Sequence, residues 1–153
     1  MKKSINILNK KARFSYELLD TYTAGIVLSG TEIKSIRSSK ASISESFCEF
    51  NELGELFVIN MTIQEYDYGN NFNHKPKGSR KLLLNKKELK KLEKEVKNTG
   101  LTIIPTKLFI NDKGFAKLQI NLAKGKKIFD KRETIKEREN KRNLDRIKKN
   151  FNH

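Results

Sequence analysis

The fold class that this 153-residue sequence predicts is mainly β: a small antiparallel barrel with flanking helices and a basic C-terminal tail. Three observations carry that expectation. Apolar, β-branched segments come in consecutive runs separated by turn formers instead of alternating with helices, which favours antiparallel pairing over a doubly wound sheet. The length supports a single hydrophobic core and falls short of that at which chains divide. From Lys124 onward the composition changes to twelve Lys or Arg against five Asp or Glu, with few apolar side chains. The expected division is therefore a barrel domain over residues 1–123 and a tail over residues 124–153.

After a polar leader, Tyr16 to Leu19 and Ala24 to Leu28 read as two short strands, rich in β-branched and aromatic residues. Ser29 followed three residues later by Glu32 is a capping box, so a helix is expected over Thr31 to Ser38 with Ile33 and Ile36 on its apolar edge. Phe47 to Phe50 and Glu55 to Ile63 flank Asn51-Glu52-Leu53-Gly54 as a hairpin, and the run Leu56-Phe57-Val58-Ile59 predicts an arm buried on both faces. Turn formers crowd Tyr66 to Arg80, which reads as a long ordered loop. A second helix is bounded by Asn85 as cap and Gly100 as stop, with Leu89, Leu92 and Val96 at helical spacing. Leu101 to Asn111 and Phe115 to Leu122 form a last hairpin around Asp112-Lys113-Gly114.

The tail cannot hold itself down. From Asp130 to Phe151 only Ile135, Leu144, Ile147 and Phe151 offer apolar burial, about 6 to 12 kcal/mol in all. Ordering about 22 backbones costs on the order of 20 to 40 kcal/mol. The expectation is a segment that is mobile when free and helical on a partner.

A formal net charge of +15 requires a polyanionic partner, and nucleic acid is the first candidate. A membrane surface fits less well: no apolar stretch is long enough to span, and no basic face is paired with aromatic anchors. The N-terminus lacks the apolar core and cleavage site of a signal peptide, so a cytoplasmic location is expected. The lone Cys48 lies in the apolar run Phe47-Cys48-Glu49-Phe50 and reads as a small buried hydrophobe.

Catalytic chemistry finds no support. His74 and His153 have no evident partners for nucleophilic catalysis, and one Cys with two distant His makes no metal site. Lys124-Gly125-Lys126-Lys127 lacks the spacing of a phosphate-cradling loop, and the tail's Asp130, Glu133 and Glu137 alternate with bases as on a solvated helix. No enzyme activity, metal or cofactor is expected. For RNA the ingredients are present: cationic clusters at Lys10-Lys11 with Arg13, Arg80-Lys81, Lys124 to Lys127 and Lys131-Arg132, and the aromatics Tyr16, Tyr66, Tyr68, Phe72 and Phe129. Composition alone equally suits a structural protein that binds ribosomal RNA.

The ordered motifs narrow this. Asn9-Lys10-Lys11-Ala12-Arg13, Leu28-Ser29-Gly30-Thr31-Glu32-Ile33-Lys34-Ser35-Ile36-Arg37, Tyr68-Gly69-Asn70, Asn73-His74-Lys75-Pro76, Arg80-Lys81-Leu82-Leu83-Leu84, Ala123-Lys124-Gly125-Lys126-Lys127, Asp130-Lys131-Arg132 and Lys136-Glu137-Arg138 together resemble the SsrA-binding protein (small protein B) family. The resemblance implies an oligonucleotide-binding (OB-like) barrel. It also implies a function: binding the tRNA-like domain of transfer-messenger RNA and delivering it to stalled ribosomes for trans-translation. The implied partners are that RNA, the small-subunit decoding centre and messenger channel of the ribosome, and elongation factor Tu, for a chain acting as a monomer.

By the resemblance, Asn9, Arg13, Glu32, Leu83, Lys117 and Lys124 belong to the RNA face, joined by the motif and cluster cations Lys11, Lys34, Arg80, Lys81, Lys126 and Lys127. Phe129, Asp130, Lys131, Arg132, Lys136, Arg138, Ile147 and Lys148 belong to the ribosome-probing tail. Glu32 reads equally as a mere capping partner, Leu83 as core or surface, and Lys117 and Lys124 as solubilising strand ends. Thr23 stands where many members carry an acidic residue, Gly78 where an arginine is common, and Phe129 in place of a tyrosine or histidine.

Overall fold

The computed structural model describes residues 5–69 and 73–126. Nine strands and three helices follow in the order β1 (Asn6–Leu8), α1 (Lys10–Ser15), β2 (Tyr16–Ile26), α2 (Gly30–Arg37), β3 (Ala41–Ser42), β4 (Phe47–Phe50), β5 (Leu56–Ile59), β6 (Thr62–Ile63), β7 (Arg80–Leu83), α3 (Lys86–Thr99), β8 (Thr102–Ile110) and β9 (Ala116–Gly125). Six strands close on themselves in the antiparallel ring β8-β4-β5-β7-β2-β9, because β9 pairs with both β2 and β8. β1 adds to the edge of β8 that β4 also uses, and β3 and β6 make a separate ribbon. This is the small antiparallel barrel with flanking helices that the sequence predicts.

The barrel is filled from one side of each strand. Ala24, Leu56, Val58, Leu82, Ile103, Leu108, Leu118, Ile120 and Leu122 point inward, joined by Ile36 of α2 and Leu92 of α3. Both longer helices form for the expected local reasons. Ser29 and Glu32 exchange the two bonds of a capping box, and Asn85 accepts from Glu88 N–H while Gly100 ends α3 in the left-handed region at φ 67°.

Several expectations are corrected. The two short strands over residues 16–28 are one strand, β2, carried through by a bulge between Leu18 and Thr21. The arm over residues 55–63 alternates buried and half-buried side chains and breaks at Asn60, whose φ of 60° splits it into β5 and β6. The polar leader holds β1 and α1, and the end of the long loop is β7. β9 runs past Leu122 to Gly125, because Lys124 and Gly125 still find partners in Glu17 and Tyr16. Lys126 then ties back to α1, its N–H donating to Ser15 O and its Nζ to Arg13 O, each at 3.1 Å. Lys127, Phe72 and the tail from Phe129 to Lys148 lie outside the described residues.

Candidate nucleic-acid interface

Two bulges that face each other across β9 shape the site. In β2 the bulge falls between Leu18 and Thr21, and in β8 between Pro105 and Lys107. Pro105 has no N–H to give the ladder, so the break beside it costs little. Asn121 of β9, buried between them, binds both. Its Nδ2 donates to Leu19 O (3.1 Å) and Thr21 Oγ1 (2.7 Å), and its Oδ1 accepts from Thr106 Oγ1 (2.8 Å). The strands bend around this knot and leave a groove of about 730 Å³ on the outer wall of the barrel.

The groove is floored by Thr106, Gln119 and Asn121 and walled by Leu8, Leu18 and the start of α1. Lys10, Arg13 and Lys107 bracket it, and among the described residues no carboxylate lines it. Lys107 lies over the Phe109 ring at 5.1 Å. Strand register continues the surface sideways: Phe109 faces Lys117, Lys117 faces Gly25, and Gly25 faces Leu83. Gly25 leaves that row open, since a Cβ there would stand 3.4 Å from Leu83 Cβ and 3.7 Å from Lys117 Nζ. Leu83 is 53% exposed, so it belongs to the surface and not to the core. Cations around neutral donors and acceptors, with no competing acid, suit a phosphate backbone and its sugars.

The expected RNA-face residues divide into two sets. Arg13, Lys117, Leu83 and Lys124 are at the surface of this wall or beside it. Asn9 and Arg80 are buried and Glu32 very nearly so. Asn9 caps α1 by accepting from Ala12 N–H, while its Nδ2 donates to Ile43 O (3.1 Å) and Pro105 O (2.8 Å). Arg80 is no surface cation. Its Nε pairs with Glu32 Oε2, its Nη1 donates to Met61 O (2.6 Å), and its Nη2 to Lys75 O (3.2 Å) and Pro76 O (3.1 Å). Burial pushes the Glu32 carboxyl up, but the Ser29 N–H and the Arg80 guanidinium together hold it below its ordinary value. Lys11 and Lys81 pair with Glu45 (2.6 Å) and Glu55 (2.5 Å).

The same core cation fixes the loop after β6. With Arg80 holding Lys75 and Pro76, Asn73 clamps both backbone groups of Tyr66, and His74 bridges Thr31 Oγ1 and Ile63 O at 2.9 Å each. The hydrogen-bond partners of His74 are thus structural. The loop presents Tyr68, 80% exposed, edge-on to Tyr66 at 5.6 Å, with Lys34 over Tyr66 at 5.3 Å. An exposed ring in this setting has the shape and chemistry that suit stacking on a base. Thr23 faces Gln119 on the outer wall, and Gly78 lies in the loop with its N–H on Lys75 O. Cys48 is buried, as expected, and burial raises its thiol pKa.

A model of the SmpB protein family matches residues 6–150. The chain belongs to the SmpB family. Its relatives are SsrA-binding proteins: that of Christiangramia forsetii is 68% identical over 99% of this chain and 96% of the relative. That of Flavobacterium johnsoniae is 68% identical over 99% and 100%, and that of Agrobacterium fabrum 51% identical over 92% and 88%. A solved SmpB-like chain, from work on tmRNA-SmpB and its journey to the centre of the bacterial ribosome, superposes with a TM-score of 0.67. It is 44% identical, over 81% of this chain and 86% of that one. No helix among the described residues is long and apolar enough to cross a membrane.

Sequence reasoning missed Lys107, Thr106, Gln119 and Asn121. They lie singly in strands, and only the register shows that the barrel gathers them on one wall.

Proposed function

We propose that the chain binds the tRNA-like domain of transfer-messenger RNA along the bulge-bounded groove and accompanies it to stalled ribosomes for trans-translation. The observation that carries this reading is the groove itself, three cations around a polar floor without an acid among the described residues, in a member of the SmpB family. Arg13 and Lys107 meet phosphates, Thr106 and Gln119 reach sugar or backbone oxygens, and Lys117 and Lys124 extend the cationic wall. Tyr68 offers a separate stacking surface. Asn9 lines the groove while fixing the start of α1, and Glu32 and Arg80 shape the tyrosine loop from inside. The chain acts by binding, without a catalytic step, and a ribosomal partner supports a cytoplasmic location. Residues 130–153 act on the ribosome and not on the delivered RNA.

A gel shift with the isolated tRNA-like domain tests the groove. The wild-type chain is expected to bind one to one and to prefer that RNA over bulk ribosomal RNA. Replacing Arg13 and Lys107 together by Glu is expected to weaken binding by about a hundredfold, two charge-assisted contacts being lost. Equal affinity for bulk ribosomal RNA would instead support a structural ribosomal protein.

A further inference from the structure

The outer face of α3 is cationic in an unusual way. Every exposed position from Lys86 to Lys97 is a lysine, namely Lys86, Lys87, Lys90, Lys91, Lys94 and Lys97. The carboxylates of the same stretch, Glu88, Glu93 and Glu95, all fall at half-buried positions, and Leu89, Leu92 and Val96 turn to the core. At 3.6 residues per turn the lysines fall within an arc of about 140°, opposite the apolar edge and with the acids at its two margins. A helix face that serves only to hold water usually mixes both signs, because Glu and Lys three or four residues apart stabilise it. Here the neighbours at those spacings, such as Lys86 and Lys90, Lys87 and Lys91, Lys90 and Lys94, repel. Lys97 pairs with Glu93 at 2.8 Å and Lys91 approaches Asp20 only to 4.0 Å, while Lys86, Lys87, Lys90 and Lys94 have no carboxylate partner among the described residues.

No residue of α3 lines the groove, whose walls come from β1, α1, β2, β8 and β9. The helix lies instead beside β4 and the start of β8, where Glu93, Val96 and Lys97 share a cleft with Phe50 and Ile103. We infer that the lysine ridge of α3 is a second RNA surface, which takes the phosphate backbone of an RNA other than the one seated in the groove. The inference rests on the RNA-binding reading of the groove, for it makes the chain a bridge between two RNA molecules. From Lys86 to Lys97 the ridge is about 16 Å long at 1.5 Å per residue, enough to follow several consecutive phosphates.

The test uses the full chain with Lys87→Glu, Lys90→Glu and Lys94→Glu combined, all solvent-facing changes between good helix formers. Two probes are titrated over a range of salt: the isolated tRNA-like domain, and small ribosomal subunits free of messenger. At about 150 mM salt, where screening acts within roughly 8 Å, affinity for the tRNA-like domain is expected to change less than about threefold. Affinity for the subunits is expected to fall tenfold or more, and the slope of log affinity against log salt to shrink by about 2 to 3. The matching Lys→Gln triple variant should show the same loss of slope with a smaller loss of affinity. Unchanged subunit binding would overturn the inference, as would an equal loss toward both probes. If the wild-type chain shows no preference for the tRNA-like domain, the groove reading falls, yet the subunit slope still reports on the ridge.

Discussion

Replacing Arg80 by Met is expected to lower the melting temperature by roughly 10 to 15 °C, because removing one partner of a buried ion pair costs about 3 to 5 kcal/mol. The reason lies in what the guanidinium does. It neutralises Glu32, which is almost wholly enclosed, and it satisfies the carbonyls of Met61, Lys75 and Pro76. Met fills a similar volume but leaves Glu32 Oε2 and Met61 O without their donor, while Lys75 O and Pro76 O keep only the N–H groups of Gly78 and Ile63. Loosening should spread to the loop that carries Tyr68, so protease cleavage between β6 and β7 should quicken well below the melting transition. Glu32→Gln gives a pH-dependent companion result. Since the folded carboxyl titrates below its ordinary value of 4.5, its contribution is present in full above that value and is lost as pH falls through the lower, folded one. The melting-temperature gap between wild type and Glu32→Gln should hold steady through neutral pH and close in acid. A gap that stays constant down to the acid limit would show that the ion pair adds nothing.

Deleting residues 130–153 is expected to abolish tagging of products stalled on broken messages while leaving affinity for the tRNA-like domain within a few-fold. Every described wall of the groove lies between Leu8 and Asn121, and the strand that carries Gln119 and Asn121 keeps its pairing with β2 through Gly125. The deletion removes nine Lys or Arg and five Asp or Glu, a modest net charge. At physiological salt, exposed charges more than about 8 Å apart are largely screened from one another. Gel shift and a reconstituted tagging assay measure the two effects on one preparation. A large loss of RNA affinity would make the segment an electrostatic anchor instead.

What the sequence made legible follows from how local each cause is. The capping box of α2, the cap and stop of α3 and the two hairpins depend on residues within a few positions of one another, and they form as expected. β1, α1 and β7 are three to six residues long, too short for periodicity to register, and they exist because partners distant in sequence pair with them. β2 read as two strands because its bulge interrupts the alternation on which strand assignment rests. At the site, clustered cations such as Arg13 stood out. Lys107 did not, since a single lysine in a strand shows its face only when the register is known. Arg80 was misread for the converse reason: its partner Glu32 is 48 residues away, and a cation beside a lysine looks like surface until that partner is found.

The buried polar side chains of Asn9, Glu32 and Arg80 bear on how mutants of this chain should be sorted. A screen for lost RNA binding would collect them together with Arg13 and Lys107, although they fail for different reasons. Alleles at the buried positions disturb the placement of α1 or of the tyrosine loop, so they should be temperature-sensitive and regain binding in the cold. Alleles at the groove cations leave the scaffold intact, so cooling should do little for them and lowering the salt should restore much of the binding. Crossing the two treatments would separate scaffold from contact without a structure of any mutant.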